Sequence, residues 1–192
     1  MASANILAFA GSLRSGSYNK QLVQFAAERA RQAGAEVTVI DLRDYPLPIY
    51  DADLEQENGI PENAQQLKEL FLQHDGLILA CPEYNSSITA VLKNTIDWVS
   101  RPVDDQRPLA CFDGKVALLL AASPGRLGGI RGLVTTRVIL SNIKVLVLPD
   151  QLAIPQADQA FDEDGTLLNQ HHFAMVDQLA TKLVDTVAKL HG

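Results

Sequence analysis

The chain has 192 residues, 47% of them hydrophobic and 20% charged, and its 16 Lys and Arg against 23 Asp and Glu give a formal net charge of −7. This composition is typical of a globular protein, and the length favours one domain over residues 1–192. The charge excludes nucleic acid as an expected partner, because affinity for a phosphate backbone needs clustered Lys and Arg, and the longest apolar run, 116–122, is far below the roughly 20 residues that span a membrane.

Strand-like and helix-like segments alternate along the chain. Short, nearly unbroken apolar runs are typical of parallel strands that are covered on both faces, whereas apolar residues three and four apart indicate helices. In chain order the sequence predicts a strand at 6–10, a helix at 18–32, an edge strand at 36–41, a helix at 61–74, a strand at 77–81, a helix at 89–100, a strand at 116–122, a helix at 129–140, a strand at 145–148 and a helix at 171–190.

This alternation predicts a doubly wound α/β fold, a three-layer sandwich around a five-stranded parallel sheet of order 2-1-3-4-5. Two connections, 42–59 and 101–114, exceed ordinary loop lengths and are rich in Pro and Asp. Each is interpreted as a lid, an oligomer contact or a solvated surface loop. In such a sheet the ligand lies beyond the carboxyl ends of the strands, where the strand order reverses, so the loops after strands 1 and 3 are the expected site.

The loop after the first strand has the residue types that bind phosphate. Ser12, Ser17 and Asn19 offer hydrogen-bond donors, Arg14 offers positive charge, and the helix that follows presents its N-terminus. The alternative is a capped helix start, because Ser and Asn cap helices of any function. A nucleoside-triphosphatase loop is a poor match, since Ser17 stands where that motif needs Lys, and no G-x-G-x-x-G follows the strand.

Three loop motifs together resemble one known family. They are Gly11-Ser12-Leu13-Arg14 with 17–19, then Pro82-Glu83-Tyr84-Asn85 followed by Leu92-Lys93-Asn94 and Asp97-Trp98, and finally Ser123-Pro124-Gly125 with Gly128-Gly129. In this combination the chain resembles the NADPH-dependent FMN reductases of the flavodoxin-like fold. Many members carry Pro-Gly before the Leu-Lys-Asn helix, where this chain has Thr89-Ala90. Thr89 is nevertheless expected to cap that helix.

The resemblance implies an FMN site built from all three loops. The residues that it places at the FMN phosphate are Ser12, Arg14, Ser17, Tyr18 and Asn19. Those that it places against the isoalloxazine are Pro82, Glu83, Tyr84 and Asn85, and those at the pyrimidine end are Ser123 and Gly125. No side chain is expected to act as a catalyst, because the chemistry takes place at N5 of FMN.

The implied activity is a ping-pong transfer of hydride from NADPH or NADH to FMN and on to a small acceptor such as a quinone, azo compound, nitro compound, chromate or free flavin. A flavodoxin-type FMN electron carrier without nicotinamide reductase activity is the alternative, and a scaffold that no longer binds flavin is another. A phosphoryl-accepting receiver domain is excluded, because Gly11-Ser12, Cys81-Pro82 and Pro149 occupy the positions of its acidic and lysine residues. The resemblance also implies a homodimer or homotetramer.

The cysteines and histidines predict no metal or disulfide framework. Cys81 ends an apolar strand and is expected to pack as a small hydrophobic side chain, while Cys111 has no second Cys or His nearby in sequence. The four histidines show no metal-ligand spacing. With neither a secretory signal nor a membrane segment in the sequence, we expect a cytoplasmic protein.

Overall fold

Six strands and six α-helices occur in the part of the chain that the computed structural model describes, residues 4–103 and 106–192. The strands are β1 (Asn5–Ala10), β2 (Glu36–Ile40), β3 (Gly76–Ala80), β4 (Val116–Ala122), β5 (Leu146–Val147) and β6 (Leu152–Ile154). The helices are α1 (Tyr18–Gln32), α2 (Ala52–Asn58), α3 (Glu62–Gln73), α4 (Ala90–Val99), α5 (Ile130–Asn142) and α6 (Gln170–His191).

All strand pairs of the sheet are parallel, and the order β2-β1-β3-β4-β5 confirms the predicted topology. The predicted fifth strand is shorter than expected, and β6 is a sixth strand that the sequence did not indicate. Both segments lie along β4, with Val116 opposite Leu146 and Leu120 opposite Leu152. Pro149 stands between them and has no N–H to donate to the sheet, so the edge is built from two short pieces.

The sheet separates two apolar cores, which confirms the three-layer sandwich. Alternate residues of β1 show the division, since Ile6 and Ala8 pack with α1 and α6, while Leu7 and Phe9 pack with α3, α4 and α5. The central strands β3 and β4 are buried along their whole length. This two-sided burial is the reason that their sequences are unbroken apolar runs.

The first long connection contains a short helix that the hydrophobic pattern did not reveal. In α2 no residue is buried, so the helix has no apolar stripe. Its ends carry the local signals instead: the side chain of Asp51 accepts a hydrogen bond from the N–H of Asp53, and Gly59 follows the last turn with φ of 72°. Of the second connection, Asp104 and Asp105 lie outside the described residues.

The start of α4 confirms the predicted cap. The hydroxyl of Thr89 accepts a hydrogen bond from the N–H of Leu92, so threonine does the work of an N-cap in this position. Within the described residues, no helix has the length and apolar character that a bilayer crossing requires.

Candidate functional site

Three loops meet at the carboxyl edge of the sheet. The first loop (residues 11–17) follows β1, the second loop (81–89) follows β3 and the third loop (123–129) follows β4. The register pairs Ala10 with Ala80, so the first two loops leave the sheet side by side. The strand order reverses between these strands, because β2 lies on one side of β1 and β3 on the other. The first and second loops therefore lie where the strand order reverses, which is the location that the sequence predicts for the site.

The first loop presents a group of unused hydrogen-bond donors. Among the described residues, no acceptor lies within bonding distance of the main-chain N–H groups of residues 15–19. Ser17 stands at the N-cap of α1 and is buried, yet its side chain does not cap the helix. Donors at a helix N-terminus that the protein leaves unpaired suit an anion such as a phosphate group. The donor set of this loop thus fits the phosphate of FMN.

Charge on the first loop is concentrated in one residue. The guanidinium of Arg14 is exposed and lies 5.1 Å from the centre of the Tyr18 ring, and it has no carboxylate partner among the described residues. Lys20, in contrast, is paired with Asp41 at 2.5 Å. Partial burial raises the pKa of Asp41, but hydrogen bonds from Lys20 and from the N–H of Arg43 outweigh it and lower the pKa below its usual value. Arg14 therefore supplies the positive charge that is available to a bound anion at the first loop.

The other predicted phosphate-loop residues hold the loop together. The hydroxyl of Ser12 accepts a hydrogen bond from the N–H of Arg14 at 3.3 Å. The side chain of Asn19 reaches the end of β4, where its Nδ2 donates to the carbonyl of Ala122 at 2.8 Å and its Oδ1 accepts from the N–H of Ala122 at 3.0 Å. The structure thus joins the start of α1 to the end of β4, directly before the third loop.

The second loop forms a tight hairpin. The main chains of Tyr84 and Ser87 exchange two hydrogen bonds of 2.9 and 3.0 Å, and both residues between them have positive φ, 52° at Asn85 and 64° at Ser86. Two central residues with positive φ define the type I′ turn, which non-glycine residues adopt at a cost in strain. The hairpin leaves the Tyr84 side chain 62% exposed. A large ring held in solvent at the carboxyl edge of the sheet is suited to cover a planar ligand.

The carboxylate of Glu83 caps α5. Its Oε2 accepts hydrogen bonds from the N–H groups of Arg131 at 2.9 Å and Gly132 at 3.1 Å. An acidic group at a helix N-terminus is favourable because the helix dipole is positive there. The Glu83 side chain therefore connects the second loop to the helix that follows the third loop, while Pro82 beside it is buried.

The third loop is fixed at its ends and open in the middle. The Ser123 N–H donates to the carbonyl of Ile154 at 3.1 Å, and its hydroxyl accepts from the N–H of Gly125 at 3.2 Å. A Cβ added at Gly125 would meet only the Ser123 hydroxyl, at 3.6 Å, so this stretch of backbone faces open space. At Gly129, where φ is 97°, an added Cβ would lie 2.9 Å from Cβ of Ala121. The loop can fold back over β4 because glycine stands there.

A bond that the sequence did not predict joins the first and second loops. The hydroxyl of Thr89 donates to the carbonyl of Gly11 at 2.7 Å, in addition to capping α4. The packing there is close, since a Cβ added at Gly11 would lie 3.0 Å from Cβ of Leu92. The sequence signal for Thr89 was that of a helix cap, and it carries no information about the partner across the sheet.

A cleft of about 530 Å³ opens between Leu13 of the first loop, the start of α4 and the connection around residues 45–50. The cleft wall is attached to α4 by two side chains of the Leu-Lys-Asn and Asp-Trp motifs. The carbonyl of Pro48 accepts hydrogen bonds from Asn94 and from the Trp98 indole, both at 2.8 Å. Trp98 is fully buried, whereas Ile49 on the cleft wall is 86% exposed.

The thiols play no part in this site. Cys81 ends at the base of the second loop and is fully buried, and that burial raises its pKa to about 12. Burial also raises the pKa of Cys111. A thiol with a raised pKa is a poor nucleophile at neutral pH. The expected packing role of Cys81 agrees with its burial.

Residues 4–159 match the family model described as NADPH-dependent FMN reductase. An NAD(P)H-dependent FMN reductase of Pseudomonas aeruginosa is 36% identical over 188 residues, which cover 97% of each chain. A quinone reductase of Escherichia coli is 38% identical over 144 residues, which cover 74% of this chain and 72% of the relative.

Solved structures share the fold. The flavoenzyme NAD(P)H:(acceptor) oxidoreductase FerB of Paracoccus denitrificans superposes with a TM-score of 0.80 at 24% identity, covering 97% of this chain and 98% of the other. An NADH:FMN oxidoreductase in its apo form has a TM-score of 0.70 at 19% identity, covering 96% of this chain and 90% of the other. At these identities the similarity establishes the fold.

Proposed function

This chain belongs to the NADPH-dependent FMN reductase family, and we propose that it is an FMN-dependent NAD(P)H oxidoreductase that reduces quinones or similar small acceptors. The observation that carries the proposal is the row of unused N–H donors of residues 15–19 beside the unpaired charge of Arg14, next to the exposed ring of Tyr84. A phosphate group and a planar aromatic ring are the two parts of FMN that these features suit.

Each loop has a distinct task in this proposal. The main chain of the first loop, with Ser12, Ser17 and Arg14, binds the phosphate, and the aromatic ring of Tyr18 supports the Arg14 guanidinium at 5.1 Å. Pro82, Glu83, Tyr84 and Asn85 of the second loop form the surface against the flavin ring, and the open backbone from Ser123 to Gly125 borders its pyrimidine end. Asn19 contributes by holding the start of α1, after the first loop, to the end of β4, before the third loop.

When bound, FMN would accept hydride from NADPH or NADH and pass the electrons to the second substrate. The residues of this chain position the ring, shield one of its faces and leave the other open to both substrates in turn. A single open face requires the oxidised nicotinamide to leave before the acceptor enters, which is a ping-pong sequence. The flavodoxin-type electron carrier is not favoured, because the relatives over the same residues are reductases.

We further propose that the protein assembles as a homodimer or homotetramer. Two separate apolar surfaces support this proposal. One is the cleft wall, with Ile49 86% exposed. The other is a stripe on α5, where Ile130, Val134 and Val138 recur at four-residue intervals and are 42%, 55% and 65% exposed. Exposed apolar side chains in a contiguous row are typical of protein contacts, and two independent surfaces suit a tetramer of paired dimers.

Oligomer mass tests the assembly proposal. Light scattering coupled to size exclusion is expected to give a multiple of the 20.9 kDa chain mass. Val134→Lys, which places a charge in the α5 stripe, is expected to lower that mass, whereas Thr181→Lys, at an exposed position of α6, is the matched control. A monomeric unmodified protein would contradict the proposal.

A cytoplasmic location is proposed from the two cysteines, which are both free and buried.

Steady-state kinetics test the proposed activity. Rates of NADPH and NADH oxidation are measured at several fixed quinone concentrations with FMN-loaded protein. A ping-pong reductase gives parallel double-reciprocal lines, and comparison of the two nicotinamides gives the coenzyme preference. Intersecting lines would contradict the shared face. An FMN-loaded protein that oxidises neither nicotinamide would be an electron carrier.

A further inference from the structure

Three side chains connect the three loops at the carboxyl edge, either directly or through the elements beside them. Asn19, in the first turn of α1 after the first loop, bonds through both groups of its amide to Ala122, the last residue of β4 before the third loop. Thr89 joins the second loop directly to the first. Glu83 joins the second loop to the first turn of α5, which follows the third loop. The three connections form a closed ring, so that each loop, or the element directly beside it, is attached to both of its neighbours.

We propose that Asn19, Thr89 and Glu83 are positioning residues that hold the flavin site assembled before the flavin binds. The inference rests on the proposed function, since it concerns the same site. Asn19 and Thr89 are 4% and 3% exposed, so their hydrogen bonds lie away from water. Breaking such a bond leaves a buried main-chain group unpaired, which is more costly than the bond alone is worth.

The ring of bonds also fixes both ends of the tyrosine hairpin. Glu83 precedes the hairpin and is attached to α5, while Thr89 follows it and is attached to the first loop. Between them, Asn85 and Ser86 are held at positive φ, a conformation that persists only where the surroundings enforce it. The main-chain position of Tyr84 relative to the phosphate-binding loop is thereby set by the protein.

Two glycines show that the ring of bonds depends on close packing. At Gly132 an added Cβ would lie 3.3 Å from Cβ of Glu83, and at Gly11 it would lie 3.0 Å from Cβ of Leu92. The N–H of Gly132 donates to the Glu83 carboxylate, and the carbonyl of Gly11 accepts from the Thr89 hydroxyl. The absence of a side chain at both positions lets the loops approach within hydrogen-bond distance.

A site that is assembled beforehand binds its ligand without first ordering three loops. The entropy of ordering a loop is otherwise subtracted from the affinity. Substitution of any of the three residues is therefore expected to lower FMN affinity, although their side chains bond to the protein. This separates them from Arg14, whose effect depends on the phosphate.

Thr89 offers the sharpest test. Thr89→Val keeps the shape and removes the hydroxyl, Thr89→Ser keeps the hydroxyl, and Thr95→Val makes the same change at a buried threonine that donates only within its own helix, to Val91. The dissociation constant of FMN is measured by quenching of flavin fluorescence, well below the unfolding temperature of each variant. Thr89→Val is expected to weaken binding about tenfold, the effect of one lost buried hydrogen bond. Thr89→Ser and Thr95→Val are expected to bind like the unmodified protein.

Hydrogen exchange of the protein without flavin gives a second readout. Thr89→Val is expected to speed exchange of the Gly11 amide, which donates to the carbonyl of Ala80 at 2.9 Å, and Thr89→Ser is expected to restore its protection. Should Thr89→Val fail to fold, two variants of the partly exposed Glu83 provide a parallel test. Glu83→Gln keeps an acceptor oxygen for α5 but loses the charge that the helix dipole favours, so its FMN affinity is expected to lie between that of the unmodified protein and that of Glu83→Ala.

The outcomes separate this inference from the proposed function. Tight FMN binding by the unmodified protein and equal binding by Thr89→Val would overturn the positioning role and leave the FMN site intact. Weak binding by both Thr89→Val and Thr89→Ser would also overturn it, because the hydroxyl would not be the cause. An unmodified protein that binds no FMN would overturn both proposals.

Discussion

Replacement of Arg14 by alanine is expected to weaken FMN binding without affecting riboflavin. Arg14 is the cation on the first loop that has no carboxylate partner among the described residues, whereas the charge of Lys20 is used by Asp41. A hydrogen bond to a charged group contributes about 1.5–3 kcal/mol, and each 1.4 kcal/mol is a tenfold change in affinity. Because the Arg14 guanidinium is exposed, screening by water and salt favours the lower limit, about tenfold.

The assay compares dissociation constants of FMN and riboflavin by fluorescence quenching at low and high salt. Riboflavin lacks the phosphate, so Arg14→Ala is expected to leave its affinity unchanged, and the FMN difference is expected to shrink as salt is added. Arg14→Lys keeps the charge but not the planar fork, and an intermediate affinity is expected. Lys189→Ala is the control for net charge, because Lys189 is exposed on the last turn of α6.

Equal loss of FMN and riboflavin affinity in Arg14→Ala would refute the reasoning, since the effect would then not depend on the phosphate. Unchanged FMN affinity would refute it as well, and would assign phosphate binding to the main chain and hydroxyl groups alone.

Three further predictions follow from individual contacts. Tyr84→Ala is expected to lower flavin affinity but to change the free energy of unfolding by less than about 0.5 kcal/mol, because the side chain is 62% exposed. Fluorescence quenching measures the affinity and chemical denaturation measures the stability. A large loss of stability would contradict the exposed position. Gly129→Ala is expected to destabilise the protein by about 1–3 kcal/mol, since φ is 97° and the new Cβ would meet Ala121 at 2.9 Å; an unchanged denaturation midpoint would show that the third loop folds differently. The Cys81 thiol, with its pKa raised to about 12 by burial, is expected to resist thiol reagents at pH 7–9 in the folded protein and to react when the protein is unfolded; rapid labelling of folded protein at Cys81, identified by mass spectrometry, would contradict its burial.

The fold could be predicted wherever burial left a pattern in the sequence. Strands β1, β3 and β4 are covered on both faces, so their apolar runs identified them and their order. Helix α2 buries no residue, and its Asp51 and Gly59 ends were the only local signals. Strand β6 has three residues after Pro149, too few for a pattern. Both omissions concern short elements at the surface or the edge of the sheet.

The site could be located from the sequence, but the partners of its side chains could not. The loops after β1 and β3 followed from topology, and the residue types in them indicated a phosphate and a planar ring. The bond from Asn19 to Ala122 spans 103 positions in the sequence, and the bond from Glu83 to Gly132 spans 49. Such pairs arise only when the sheet brings the loops together. The ligand contacts that the sequence indicated for Asn19 and Glu83 stay predictions, and the structure adds bonds from both side chains to the main chain.

The visible absorption spectrum of the FMN-loaded protein, recorded without oxygen before and after NADPH and then after a quinone, tests the central claim most directly. The account predicts that NADPH bleaches the flavin absorption and that quinone restores it, because FMN takes up hydride in the first half-reaction and gives up the electrons in the second. A flavin that stays oxidised in NADPH would contradict the oxidoreductase assignment, and a protein that retains no FMN would contradict the site itself.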